Sequence, residues 1–225
     1  MNRLHHWLCR SGHWRRTLEQ RVPWILSGAD LGPDVLEVGP GPGLTSDLLR
    51  SRVKHLTAIE ADPALAESLR LRMRGTNVEV VTGDATAMPF RDAAFSGCAC
   101  FTMLHHVPSP ELQDAMLREM RRVLRPGGEL AGSDSLPGAF MRLIHLGDTF
   151  VPVDPDTLPA RLEAAGFERI QVERASDFFR FYARRPYEIT ASPDPNEVTD
   201  KVSLITISSR PDRVPAGPAL GGISR

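Results

Sequence analysis

Between Asp34 and Arg185 the chain returns repeatedly to short β-branched runs, separated by stretches whose apolar residues stand three and four apart. This alternation is the tightest constraint on the fold, because strands interleaved with helices pair in parallel when each helix crosses over a face of the sheet. Val35–Val38, Leu56–Glu60, Val78–Thr82, Phe95–Phe101 and Glu129–Ser133 read as successive strands. Leu44–Ser51, Pro63–Met73 and Pro110–Leu124 read as the helices between them. After Asp134 the pattern loosens, then resumes with a helix over Pro155–Ala165 closed by Gly166 and two strand-like runs, Ile170–Arg174 and Phe178–Arg184. Only a short link joins those runs, which predicts an antiparallel hairpin. The expected fold is α/β: a Rossmann-like, open, mostly parallel sheet with helices on both faces and an antiparallel edge strand.

Two flanks stand outside this rhythm. Residues 1–27 carry Trp7, Trp14 and Trp24 with Leu4, Leu8 and Leu18, enough apolar surface for a helical lid or docking segment. Residues 186–225 are rich in proline with Tyr187 as their one aromatic, and read as a mobile tail in which Val202–Ile207 is the only strand-like run. The layout is therefore 1–27, a single α/β domain over 28–185, and the tail 186–225.

Composition narrows the function classes. With 27 basic and 28 acidic residues the formal net charge is −1, so no basic field exists to attract nucleic acid or an anionic membrane. No run of 18 apolar residues predicts membrane insertion, and Met1–Gln20 carries Arg, His and Trp where a secretion signal needs an apolar core. Cys9, Cys98 and Cys100 are odd in number and lack a CxxC pair, which fits a reducing cytoplasm better than a disulfide framework. Lys54 and Lys201 are the only lysines, an arginine bias typical of GC-rich bacterial genomes.

The densest motif is Val35-Leu-Glu-Val-Gly-Pro-Gly-Pro-Gly43, placed where the first strand turns into the first helix. Gly39, Gly41 and Gly43 allow a tight turn and let backbone N–H groups approach a ligand at the edge where open α/β sheets bind one. Leu44 occupies the position that a dinucleotide fingerprint gives to Gly or Ala, which argues against a nicotinamide-dependent oxidoreductase. Glu60 ends the second strand, where a carboxylate can accept both hydroxyls of a ribose, and Asp84 with Ala85 follows the third, placed to meet an exocyclic amine and a ring nitrogen. Together they describe an adenosine site.

On these residues the chain resembles the class I S-adenosylmethionine-dependent methyltransferases, in particular the broad group holding the ubiquinone and menaquinone C-methyltransferases and many small-molecule O-methyltransferases. The matching pieces are Leu36-Glu-Val-Gly-Pro-Gly-Pro-Gly43, Ala58-Ile-Glu-Ala-Asp62, Thr82-Gly-Asp-Ala85 with Met88-Pro-Phe90, Leu104-His-His-Val107, and Arg122-Val-Leu-Arg-Pro-Gly-Gly128. The resemblance implies S-adenosylmethionine as cofactor. It assigns Glu37 to ordering the loop near the methionine amino group, Gly39 and Gly41 to the amino-acid part, Glu60 to the ribose, and Asp84 and Ala85 to the adenine, and counts Gly43, Ala61 and Thr102 among the cofactor-binding residues. Arg125-Pro-Gly-Gly128 becomes the turn before the fifth strand.

Methyl transfer from a sulfonium is a displacement, so aligning the nucleophile supplies much of the rate, and a base or metal is needed for reluctant hydroxyls. His106, favoured over His105 on strand alternation, Asp134 at the end of strand five, and His145 are the catalytic candidates. His145 and Asp148 could share a helix face as base and orienter, and Asp134, His145 and Asp148 carry donor atoms for a divalent metal, magnesium being favoured by the carboxylates. Each of these residues also has a plain packing or surface reading. The N-terminal His5, His6, Trp7, His13 and Trp14 read equally as a lid over the acceptor or as a docked helix. Leu104-His-His-Val107 stands where amide methyltransferases carry Asn/Asp-Pro-Pro-aromatic, so amide nitrogen is disfavoured as the acceptor.

The expected function is methylation of a small molecule, at the oxygen of a sugar or secondary metabolite. A quinol C-methyltransferase is the nearest alternative, and a non-catalytic cofactor-binding protein is the alternative from another class. Homo-oligomer formation stays open.

Overall fold

The structure is a computed structural model and describes residues 11–188. Trp7, Leu4, Leu8, Cys9, His5, His6 and the Val202–Ile207 run lie outside the described residues.

Among the described residues seven strands form one sheet in the order β3-β2-β1-β4-β5-β7-β6. They are β1 (Asp34–Val38), β2 (His55–Glu60), β3 (Val78–Thr82), β4 (Phe95–Phe101), β5 (Leu124–Ser135), β6 (Glu168–Arg174) and β7 (Phe178–Arg184). The first five pair in parallel, and the β6–β7 hairpin adds antiparallel strands, β7 lying between β5 and β6. Strand order reverses between β1 and β4, and all five parallel strands end at one edge, so the crevice above Val38 and Phe101 is the natural ligand site.

Among the described residues six α-helices flank the sheet: α1 (Gly12–Ile25), α2 (Leu44–Leu49), α3 (Pro63–Arg72), α4 (Pro110–Val123), α5 (Ala139–Ile144) and α6 (Leu158–Ala164). The period-two alternation of a strand feeds two separate cores. On β4, Cys98 and Cys100 face α4 and α6, packing with Met116, Met120, Leu158 and Leu162. Ala99 and Phe101 face the other way, towards Leu18, Val22 and Ile25 of α1 and Leu49 of α2. Burial pushes both thiols well above the ordinary cysteine range, so they pack as small apolar groups.

Capping explains where the helices begin. Ser11 accepts from the Trp14 N–H at 3.1 Å, Asp62 from the N–H groups of Ala64 and Leu65 at 2.8 and 3.1 Å, and Ser109 from that of Leu112 at 3.3 Å. Three local expectations differ from the fold. The helix expected over Pro155–Ala165 starts at Leu158, because Asp154 draws the preceding residues into a turn, accepting from the N–H groups of Thr157 and Leu158 through its carbonyl and of Asp156 through its side chain. The Arg125–Gly128 turn is a bulge inside β5: Phe95 faces Leu124 while Gly97 faces Glu129, and Gly127 and Gly128 pair with Arg185 across the bulge. His145 and Asp148 share no helix face, since α5 ends at Ile144 with His145 as its C-cap and Gly147 at φ +74 turns the chain away.

Candidate active site

The glycine loop leaves β1 through a turn in which the Gly39 N–H donates to Ile59 O and the Gly43 N–H to Pro40 O, both at 2.9 Å. Gly39 has φ +67, and a Cβ there would stand 2.2 Å from Met103 Cγ, so the loop lies against β4 only because no side chain intervenes. Gly43 opens α2 at φ +79, and its missing Cβ makes room for Leu69 and Arg72 of α3. Arg72 braces the loop from outside, donating to Pro42 O and Gly43 O at 2.8 and 2.9 Å while paired with Asp47.

Glu37 meets the loop from beneath. It is buried, its carboxylate accepts from the hydroxyls of Thr45 and Ser46, and burial pushes its pKa up to about 7. Glu60 faces the crevice and accepts from the Gly41 N–H at 2.9 Å and the Asp62 N–H at 3.0 Å, which leaves lone pairs for a diol. Asp84 holds the N–H and hydroxyl of Thr86 through Oδ1, both at 2.8 Å. Thr102 is left-handed at φ +51, and its N–H donates to Ser133 O at 2.7 Å.

These residues rim a cavity of about 890 Å³, near the top of the range for small-ligand sites and roomy enough for a cofactor and a second small molecule. Gly39, Gly41, Glu60, Ala61, Asp84, Ala85, Thr102 and His106 line it, whereas Glu37, Gly43, Asp134 and His145 do not. Its lining also includes Trp14, Leu112, Met116, Leu136 and Met141, together with His105 and His106. Helix α1 is docked on the sheet through Leu18 and Val22, and its His13, Trp14, Thr17 and Arg21 edge the cavity. Arg21 ties that helix down by an ion pair to Asp177 at 2.7 Å and by lying 4.2 Å over the Phe178 ring.

The histidines are arranged in a way that spacing along the chain did not reveal. Leu104–His106 form a single 3-10 turn after β4, and both histidines contribute to the cavity lining where strand alternation had favoured one, with the His105 side chain almost wholly buried. Asp134 is enclosed behind His105: its carboxylate accepts from His105 Nδ1, from the His105 backbone N–H at 3.1 Å and from the Ser135 N–H at 2.6 Å. His145 swings in from the end of α5 with Nδ1 2.7 Å from Met141 O, and burial holds its pKa below the ordinary value. The ring centroids of His105 and His106 are 4.2 Å apart, and His145 lies 5.0 and 5.1 Å from them. Gln113, unremarked in the sequence, donates to Leu104 O and Val151 O and so fixes the 150s loop against this turn.

Arg174, Arg180 and Arg184 face carboxylates: Arg174 pairs with Asp156 at 2.6 Å, Arg180 with Glu173 at 2.7 Å and Arg184 with Glu168 at 3.5 Å.

Residues 35–128 match the family described as a methyltransferase domain. A ubiquinone biosynthesis O-methyltransferase of Xylella fastidiosa is 35% identical over 116 residues, covering 50% of this chain and 44% of its own. The chain spans about half the length of the curated relatives it matches. A trans-methyltransferase solved with S-adenosylhomocysteine is similar in fold, with TM-score 0.62, 20% identity, and coverage of 82% of this chain and 62% of the other. A [4+2]-cyclase is equally similar, with TM-score 0.64, 20% identity, and coverage of 79% and 85%. The glycine loop, Glu60 and Asp84 all fall within residues 35–128, the stretch over which the chain is similar to that methyltransferase domain.

Proposed function

We propose that the protein transfers the methyl group of S-adenosylmethionine to a hydroxyl of a small, ring-bearing acceptor of quinol or phenol type. The observation that carries this reading is the continuity of one cavity. Its lining offers the glycine loop, the Glu60 carboxylate and Asp84, and in the same cavity the apolar Trp14, Leu112, Met116 and Leu136 with His105 and His106. Apolar walls suit a ring better than a sugar, whose hydroxyls would lose water there without enough partners. The name of the matched relatives, ubiquinone biosynthesis O-methyltransferase, points to the same acceptor class and to oxygen as the accepting atom.

The residues in hand would act chiefly by position. Glu60 would accept the ribose hydroxyls, and Asp84 would accept from the adenine amine through the oxygen that Thr86 leaves open. Glu37 supports the loop through Thr45 and Ser46 without reaching the ligand. The acceptor hydroxyl would approach the His105–His106 turn, where an imidazole environment eases loss of its proton as the methyl group arrives. Asp134 would orient His105 from behind.

The test is incubation with methyl-labelled S-adenosylmethionine and two acceptor panels, hydroxylated quinols and phenols against sugars. Label in the first panel with release of S-adenosylhomocysteine is expected. Label confined to the sugars would overturn the acceptor class. Tight binding of S-adenosylhomocysteine with no transfer to any hydroxyl would favour a non-methylating use of the fold, as in the cyclase it resembles.

A further inference from the structure

We propose that His105, His106 and His145 hold one divalent transition-metal ion of the zinc class at the acceptor end of the cavity, with Asp134 and the Met141 carbonyl orienting two of the rings. The inference deepens the function proposed above, because the ion would sit where the acceptor hydroxyl is expected, but it stands on ligand geometry and is tested without turnover.

Among the described residues these three histidines each offer a ring nitrogen, and the nitrogens all lie within 4.8 Å of one another. Three nitrogens around a tetrahedral ion with bonds of ~2.05 Å would be about 3.3 Å apart. A contraction of up to about 1.5 Å therefore completes the set, which side-chain rotations can supply.

The second shell is already in place. A backbone carbonyl can only accept, so His145 Nδ1 carries the hydrogen towards Met141 O, and the lone pair of its neutral ring lies on Nε2. Asp134 accepts from His105 Nδ1 in the same sense and also takes two backbone N–H groups, so it is anchored as a carboxylate behind the imidazole. A carboxylate or carbonyl fixing the far nitrogen is the usual outer-shell arrangement of a metal-binding histidine. His105 Nε2, the atom this arrangement would present to an ion, is buried without a hydrogen-bond partner among the described residues. Leaving such an atom unsatisfied is costly in a folded interior, and coordination would satisfy it.

The donor set also selects the ion. Three neutral imidazoles with no carboxylate favour zinc, cobalt(II), nickel or iron(II) over magnesium and calcium. The arrangement expected from sequence, with Asp134 and Asp148 as ligands, is not the one formed, since Asp134 is spent on His105 and Ser135. Because His105 and His106 line the cavity, a fourth position would open towards the acceptor, the pattern of catalytic rather than structural sites. An acceptor O–H bound there would lose its proton to solvent. Its oxygen would then form the new C–O bond as the methyl C–S bond breaks, with the electron pair remaining on sulfur as S-adenosylhomocysteine leaves.

The experiment takes the full chain, strips it with a chelator, and titrates it with cobalt(II) and with zinc, reading the visible d–d absorption and metal content after gel filtration. One ion per chain with a tetrahedral cobalt spectrum is expected. His106→Ala and His145→Gln should abolish the spectrum, and Asp134→Asn should weaken affinity about 10–100-fold. Binding of S-adenosylhomocysteine, read separately on each variant, certifies that the fold persists. A wild type that takes up no cobalt or zinc, or variants that bind as the wild type does, would overturn the proposal. Failure of the methyltransferase reading would show instead as a wild type that binds no S-adenosylhomocysteine, whatever its metal content.

Discussion

Replacing Gly39 by Ala tests whether the glycine loop is shaped by its own conformation or by the strand behind it. Gly39 and Gly41 both have positive φ, +67 and +53, so an alanine at either carries the left-handed penalty of about 1–2 kcal/mol. They differ in surroundings. A Cβ at Gly41 meets nothing within 4 Å, whereas one at Gly39 falls 2.2 Å from Met103 Cγ and 3.3 Å from its Cβ. Those atoms sit close to the backbone, so Met103 cannot swing clear cheaply, and overpacking adds about 1–3 kcal/mol. Gly41→Ala should therefore cost about 1–2 kcal/mol and Gly39→Ala about 2–5 kcal/mol in urea unfolding. The clash term is isolated by a double-mutant cycle with Met103→Ala, which should return a favourable coupling of about 1–3 kcal/mol for the Gly39 variant and none for Gly41. Calorimetric binding of S-adenosylhomocysteine should fall in the same order. Equal costs at the two glycines, or a Gly39–Met103 coupling near zero, would refute the argument that the loop's position is set by contact with the residue after β4.

Other perturbations probe other parts of the site. Burial raises the Glu37 carboxyl to about 7 from an ordinary 4.5, so between those values the folded protein keeps a proton that the unfolded chain has released. Stability should then fall by about 3 kcal/mol as pH rises through that window and level off above it, while Glu37→Gln should flatten this slope in urea titrations at several pH values. Glu60→Ala removes the proposed ribose acceptor and the partner of the Gly41 and Asp62 N–H groups, and should weaken S-adenosylhomocysteine binding about 10–100-fold, measured by calorimetry. Arg122 joins Glu119 and Asp92 to the Met88 and Phe90 carbonyls, so Arg122→Ala should lower stability by about 1–2 kcal/mol in thermal unfolding.

The sequence alone carried the sheet's parallel half and its cofactor edge. Alternating runs fixed the first five strands to within a residue or two, except where β5 begins, because buried parallel strands must be continuously apolar and their crossovers amphipathic. Glu60 and Asp84 were legible for the same reason: Glu60 is the last residue of β2 and Asp84 lies two residues past β3, and parallel strands bring those ends to one edge without any long-range information. The acceptor end was not legible. His105 and Asp134 are 29 residues apart, and His145 reaches them from a short helix whose local pattern suggested a different partner, Asp148. Which imidazole faces which carboxylate depends on the 3-10 turn after β4, the β4–β5 register and the docking of the 150s loop through Gln113. The docking of α1 along the cavity likewise follows from packing of Leu18 and Val22 against β4 and β5, contacts between residues more than 70 positions apart in the chain. Local chemistry writes a strand, a turn or a cap into neighbouring residues, whereas a cluster of side chains drawn from distant segments exists only once the sheet has closed their separation.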